Sequence, residues 1–263
     1  MIWIVHKFGG SSLADESCFR SVADILLSQR EGNQAVVVSA MSGMTDLLLK
    51  LAEDATTEDV TESSIRALTE RYGVVVKGLL SKSLGSEVLS QFSNDLADIR
   101  KALPLPSVVK EVPNQSGDIV SGFGELWSAR LLSAFLSENS PSDESVLFID
   151  ARDVLVVESG EMGPILSQEL TKKNLNSILP KNFRGRAVIT GYIARTPDGL
   201  QTTLGRDGSD YSASIFGALL EASEVTIWTD VDGIMSGDPR RVPEAAVIEE
   251  LSYNEAMELA YFG

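Results

Sequence analysis

Short apolar runs recur along this chain, and each is followed by small polar residues and then by a stretch of helical periodicity. Residues 2–8, Ala35-Val36-Val37-Val38, Ser145-Val146-Leu147-Phe148-Ile149, Arg186-Ala187-Val188-Ile189-Thr190-Gly191 and the β-rich run that opens at Glu224 and ends in Thr229-Asp230 are the strands of this alternation. Runs this short, β-branched and continuously apolar suit strands buried on both faces. Strands alternating with helices predict an α/β protein: one open, mainly parallel sheet with helices on both sides, a three-layer α/β/α sandwich. The 263 residues are enough to bury a real core in such a fold.

The helices have their own signals. Asp15 is a candidate N-cap for a helix over roughly 16–29, whose apolar stripe is Phe19, Val22, Ala23 and Leu26. Residues 46–112 read as helices with polar joints, and the acidic, Thr-rich stretch from Asp54 to Ser64 reads as a solvated loop. Ser116-Gly117-Asp118 opens a helix with Val120, Phe123, Trp127, Leu131 and Ala134 on its buried side. A further helix is expected over roughly 163–178, a hairpin from Tyr192 to Thr203 around Pro197-Asp198-Gly199, a helix over about 208–221, and a last one beginning in Leu251–Leu259.

Composition narrows the chemistry. A net charge of −16 argues against nucleic acid, whose binding rests on clustered Lys and Arg. It leaves room for a nucleotide held by a few local cations and Mg²⁺. One cysteine, Cys18, excludes an internal disulfide and suits a reducing cytosol. One histidine, His6, excludes a histidine-cluster metal site. No apolar run is long enough to span a membrane, and the N-terminus lacks the pattern of a signal peptide.

Two glycine turns carry the chemistry. Thr202-Thr203-Leu204-Gly205-Arg206-Asp207-Gly208-Ser209-Asp210 feeds a helix start, where unpaired backbone N–H groups attract anions. Arg206 adds a bidentate fork for a carboxylate or phosphate, and Ser209 a further donor. Asp210 puts a carboxylate into an anion site, which requires a cation from elsewhere in the chain. Lys7-Phe8-Gly9-Gly10-Ser11-Ser12 closes the first strand with the layout of a phosphate cradle; because the lysine precedes the glycines, it is not a Walker motif. His6, next to Lys7, points to the opposite face of that strand and reads as a packed structural histidine. Ser39 and Thr45 follow the second strand, at the carboxyl ends where open α/β sheets bind ligands; Thr45 can equally cap the next helix. Asp118, Ser121, Gly122 and Glu125 share one helix face, which can receive an ammonium group or simply be solvated.

In this order, Lys7-Phe8-Gly9-Gly10-Ser11-Ser12, Val37-Val38-Ser39-Ala40, Ser121-Gly122-Phe123-Gly124-Glu125, Thr203 to Ala213 and Trp228-Thr229-Asp230-Val231-Asp232-Gly233 resemble the catalytic domain of aspartate kinases, in the amino acid kinase superfamily. Ile227–Asp230 and Ser252–Gly263 look closest to members fused to homoserine dehydrogenase. The resemblance implies an amino acid kinase, carbamate kinase-like fold. It implies one catalytic domain over 1–263, the N-terminal part mainly holding the amino acid and roughly 190–263 mainly the nucleotide. It implies ATP-dependent phosphorylation of the L-aspartate side chain to 4-phospho-L-aspartate, the first step toward lysine, threonine and methionine. Ser39, Thr45, Glu125, Arg206 and Ser209 would hold aspartate. Lys7 and Asp210 would be catalytic, and Gly9, Gly10 and Ser11 would serve the transferred phosphate. Thr229, Asp230, Asp238 and Arg240 would hold the nucleotide. Mg²⁺ would arrive with ATP, with no metal site of the protein's own. A cytoplasmic enzyme is expected, homo-oligomeric in its full-length form.

Two positions depart from the family's pattern: Asp207 stands where many members have glycine, and Met235 where tyrosine is frequent. The Asp207 side chain is expected to face away from the anions. Gly263 falls inside an apparent helix, so a catalytic fragment without regulatory ACT domains is expected. The competing readings are another amino acid kinase, acting on glutamate, acetylglutamate or a nucleotide monophosphate, and a non-catalytic nucleotide- or amino-acid-sensing module. Glu125 with Arg206 favours a free α-amino acid, and Lys7 with Asp210 favours transfer over sensing.

Overall fold

The structure, a computed structural model, describes residues 2–29, 31–54, 58–103, 114–161 and 163–262, without the side chains of 53, 54, 58, 102, 114–116, 118, 260 and 262. The elements run β1 (Trp3–Phe8), a 3₁₀ turn (Ser11–Leu13), α1 (Glu16–Ser28), β2 (Asn33–Val38), α2 (Met44–Asp54), α3 (Glu58–Leu79), α4 (Lys82–Ala102), α5 (Asn114–Ser121) and α6 (Phe123–Asn139). They continue β3 (Ser145–Ile149), α7 (Ala151–Val154), β4 (Val157–Gly160), β5 (Gly163–Leu166), α8 (Gln168–Ile178), β6 (Gly185–Thr190), β7 (Ile193–Arg195), β8 (Gln201–Thr203), α9 (Gly208–Leu219), β9 (Glu224–Trp228) and α10 (Tyr253–Phe262). The chain divides into two compact units, Met1–Trp228 and Thr229–Gly263.

In the first unit, five parallel strands form a sheet in the order β3-β6-β2-β1-β9. Every residue of β2 and β6 is buried, as expected from the apolar runs Ala35–Val38 and Ala187–Ile189 at their centres. Register places Val5, Ala35, Ala187, Leu147 and Val225 on one face. Helix α9 lies on that face, so close that a Cβ at Gly217 would meet the Val225 side chain at 2.6 Å. Helices α1 and α6 lie on the other. There the Leu26 carbonyl of α1 accepts from Gln34 and Arg186, and Arg130 of α6 sits over the Phe148 ring. The expected three layers are therefore present. Buried Arg186 is tolerable because it is saturated: besides Leu26 it donates to Gln34 and pairs with Glu144.

Several expected boundaries change. Helix α3 already begins at Glu58, where a loop to Ser64 was expected; residues 55–57 lie outside the described residues, as do 104–113 of the expected helical region. Ile65, Leu68, Tyr72, Val75, Val76 and Leu79 form a buried stripe, and this burial outweighs the weak helix preference of the Thr-rich start. The helix expected over 163–178 begins only at Gln168. Gly163–Leu166 pairs instead with β4 as a hairpin, and Gly163 adopts φ +120°, open to glycine alone. The helix expected from Ser116 is two helices, α5 and α6, parted at Gly122, a residue of low helix propensity whose backbone stays near helical. The hairpin between Tyr192 and Thr203 forms as expected, with β7 antiparallel to β8.

In the second unit, Met235 bridges Val247, and α10 opens with a capping box in which Ser252 and Glu255 bond each other's backbone N–H. Among the described residues no helix is long and apolar enough to cross a membrane.

The β3–β6 junction gives a test of packing. Gly185 has φ +137°, and a Cβ there would lie 2.0 Å from the Ser145 carbonyl oxygen, whereas nothing lies within 4 Å of one at Gly199, φ +88°. Gly185→Ala is expected to cost about 3 kcal/mol or more and Gly199→Ala only about 1 kcal/mol in urea unfolding. Equal losses would contradict the close approach.

Candidate active site

Strands β1, β2 and β6 end at one rim of the sheet, each leading into residues with no room to spare. Gly10, after β1, would meet the Ala40 carbonyl oxygen at 2.9 Å if it carried a Cβ, and its own carbonyl accepts from Ser42 at 3.1 Å. Ser39, after β2, donates its backbone N–H to Phe8 at 3.1 Å. Gly191, after β6, lies where a Cβ would be 2.7 Å from the Ser209 hydroxyl oxygen. The segments after the first, second and sixth strands and the start of α9 thus approach one another closely.

Lys7, Ser39, Thr45, Glu125, Arg206, Ser209 and Asp210 all line a single cavity of about 330 Å³ above this rim. These are the residues singled out for catalysis and for the amino acid. Lys7 shares the sheet face of Val5, toward α9, and its Nζ pairs with Asp210 Oδ1 at 2.8 Å. That lysine is the distant cation the Asp210 position called for. Gly9 backs it: a Cβ there would lie 3.7 Å from Lys7 Nζ. Gly9, Gly10 and the exposed Ser11, which follow Lys7 in the chain, do not line the cavity. Arg206 is exposed and forms no ion pair with the described residues. Asp207 precedes α9 in the left-handed conformation, φ 54°, which favours glycine, and it is exposed at the edge of the cavity.

Glu125 is the least expected of these groups. Its helix face, open in the sequence to a solvated reading, is buried from Gly124 through Leu132 except at Arg130; the Asp118 side chain lies outside the described residues. Glu125 itself is 6% exposed. One carboxylate oxygen, Oε1, accepts from the Ala40 N–H at 3.3 Å, while Oε2 is buried and has no hydrogen-bond partner among the described residues. Burial pushes its pKa up to about 8, against the pull of the Ala40 N–H.

Sequence reasoning missed Tyr192, which also lines the cavity. It carries φ 66°, and its N–H donates to Ser212 Oγ, which in turn bonds the Gly208 carbonyl. Its position just after Gly191 was the one available signal.

The four nucleotide candidates belong to the second unit. Thr229 Oγ1 donates to Asp230 at 3.1 Å. Asp238 accepts from Arg240, and the Arg240 backbone N–H holds its carboxyl below the ordinary value. Both line a separate cavity of about 520 Å³ with Met235, Gly237 and Leu259. His6 is packed, as expected: it accepts from Trp228 Nε1 at 3.2 Å, and burial lowers its pKa. It borders a larger cavity of about 670 Å³ with Glu31, Glu224 and Trp228, whose described lining holds no lysine or arginine.

The rim thus presents a lysine–aspartate pair, a guanidinium with no ion pair among the described residues and a buried carboxyl on a parallel α/β sheet. The sequence profile of the Amino acid kinase family matches residues 3–263, and the chain belongs to that family. It is 38% identical over its whole length to the bifunctional aspartokinase/homoserine dehydrogenase 2 of Arabidopsis thaliana, a chloroplastic protein of which it spans 28%. It is 33% identical to the lysine-sensitive aspartokinase 3 of Escherichia coli, covering 99% of this chain and 56% of that one. The crystal structure of E. coli aspartokinase III in complex with aspartate and ADP superposes with a TM-score of 0.85 at 30% identity, over 100% of this chain and 57% of that chain.

The buried carboxyl makes stability depend on pH. The folded chain holds the Glu125 proton more tightly than the unfolded chain, where the ordinary value of 4.5 applies. The stabilisation this provides is complete below about pH 4.5 and is lost as pH rises through about 8. Glu125→Gln cannot ionise, so it is expected to be the more stable form at about pH 8.5 by on the order of a few kcal/mol. Urea midpoints at about pH 5 and about pH 8.5 measure this, and an unchanged pH slope in the variant would contradict it.

Proposed function

We propose that this chain phosphorylates the side-chain carboxylate of L-aspartate with Mg·ATP, giving an acyl phosphate and ADP. The observation that carries the reading is the pairing of opposite needs in one cavity. Among the described residues, Glu125 offers a buried acceptor oxygen without a donor, and Arg206 a guanidinium without an ion-pair partner. A free α-amino acid answers both, its ammonium at Glu125 and a carboxylate at Arg206. The Ser39, Thr45 and Ser209 hydroxyls supply further donors to the carboxylates. The likeness to aspartokinases supports aspartate as that amino acid.

The chemistry asks little of a base. A carboxylate with an ordinary pKa of about 4 is already ionised near neutral pH, so the nucleophile needs no deprotonation. What remains is alignment and neutralisation of charge on the transferring phosphoryl group. Lys7, steered by Asp210, neutralises that charge, and the backbone of Gly9, Gly10 and Ser11 cradles it. Thr229, Asp230, Asp238 and Arg240 hold the nucleotide in this reading, and Mg²⁺ enters as part of the ATP substrate. The acyl phosphate would feed lysine and threonine synthesis in the cytoplasm, although several relatives carry chloroplastic names.

ADP release, coupled to an indicator enzyme, separates the possibilities when measured with aspartate, with glutamate and without acceptor. Release dependent on aspartate is expected. Preference for glutamate would point to another amino acid kinase, and nucleotide binding without turnover to a sensing module. Lys7→Ala is expected to lower kcat on the order of 10²-fold or more. Glu125→Gln is expected to raise the aspartate KM about tenfold or more while leaving the ATP KM nearly unchanged; equal damage to both would assign Glu125 a structural role.

A further inference from the structure

We propose that Ser128 is a positioning residue for the cavity: together with Glu125, one turn earlier on α6, it grips the Ser39–Ala40 peptide unit from both ends and so fixes the Glu125 carboxylate against the Ser39 loop. Ser128 is fully buried. Its hydroxyl oxygen lies 2.6 Å from the Ser39 carbonyl and 3.2 Å from the carbonyls of Gly124 and Glu125. The hydroxyl has one proton to donate, and the shortest contact receives it. The N–H of the same peptide unit, on Ala40, donates to Glu125 Oε1. Carbonyl and N–H of a trans peptide point in opposite directions from one rigid plane. One helix therefore holds that plane by both of its polar ends.

The approach is possible because Gly124, the residue before Glu125 on α6, carries no side chain. A Cβ there would be 2.7 Å from the Ala40 Cβ. The gripped plane is also the first peptide beyond β2, and the Ser39 N–H is bonded to the end of β1. Donation to the Ser39 carbonyl polarises the amide and strengthens its N–H as a donor to Glu125. Without Ser128 the plane keeps its bond to Glu125 but loses its counter-hold, and the carboxylate loses both orientation and stabilisation of its charge.

The charged and titratable groups sharing this cavity are Lys7 and Asp210, paired with each other, Arg206 and Asp207 on the turn before α9, and the Tyr192 phenol. Replacing Ser128 alters none of them. The test is carboxyl ¹³C NMR titration of Glu125, assigned by its loss in Glu125→Gln, in Ser128→Ala and Ser128→Cys. Both variants are expected to titrate about half a pH unit or more above the unaltered chain, as for a weakened hydrogen bond to a charged group. Ser128→Thr, which keeps the hydroxyl, is expected to return the midpoint toward the original. A kinetic arm rests on the aspartate kinase reading: Ser128→Ala raises the aspartate KM about 2- to 10-fold with the ATP KM unmoved. The titration needs no turnover, so failure of that reading leaves its outcome intact. An unmoved Glu125 midpoint in folded Ser128→Ala or Ser128→Cys would overturn the proposal.

Discussion

Glu125 keeps a carboxyl group out of water on the buried side of α6, with one oxygen held by the Ala40 N–H and the other unanswered among the described residues. A buried carboxyl without a full set of donors opposes folding once it ionises, and a chain keeps such a group where something else repays it. Here the group faces a cavity that also holds Lys7, Asp210 and Arg206. The rest of the first unit can be understood as the framework that holds this carboxyl where a ligand, and not water, completes its bonding.

That framework follows from the parallel sheet. Parallel strands deliver all their carboxyl ends to one rim, and the connections that return the chain run as helices over the faces. Because α1 and α6 cover one face and α9 the other, the rim receives a glycine loop from β1, a serine loop from β2, a carboxyl from α6 and the helix start of α9. Lys7 and Asp210 meet because the lysine lies on the sheet face that α9 covers; His6, one residue earlier, is turned away and packs against Trp228. The glycines at positions 10, 124 and 191 lie where a neighbouring segment comes too close for a Cβ: the Ala40 carbonyl, the Ala40 side chain and the Ser209 side chain.

Much of this was legible in the residues themselves. Lys7, Arg206, Ser209 and Asp210 stand in dense, chemically specific runs, and the short apolar strands declare a sheet buried on both sides. What stayed hidden depends on contacts distant in sequence. Ser128 looks like any serine inside an apolar helix until Ser39 is brought beneath it. Tyr192 gives no sign of its left-handed backbone. Polarity misled at two places: the Thr-rich start of α3 is helical because the stripe after it is buried, and the face of Glu125 is enclosed although its neighbours are small and polar. The β4–β5 hairpin escaped notice because Gly160 and Gly163 sit beside a helical pattern that begins only after Ser167.

Proton release on binding reads most directly whether the Glu125 oxygen answers an ammonium group. Calorimetric titration of the chain with L-aspartate near pH 7, repeated in buffers of different ionisation enthalpy, counts the protons exchanged. A carboxyl with a pKa of about 8 is mostly protonated when the cavity is empty. Pairing with an ammonium ionises it, so about 0.9 proton should leave per aspartate bound, and none in Glu125→Gln. Aspartate binding without proton release, or with the same release from Glu125→Gln, would contradict this account.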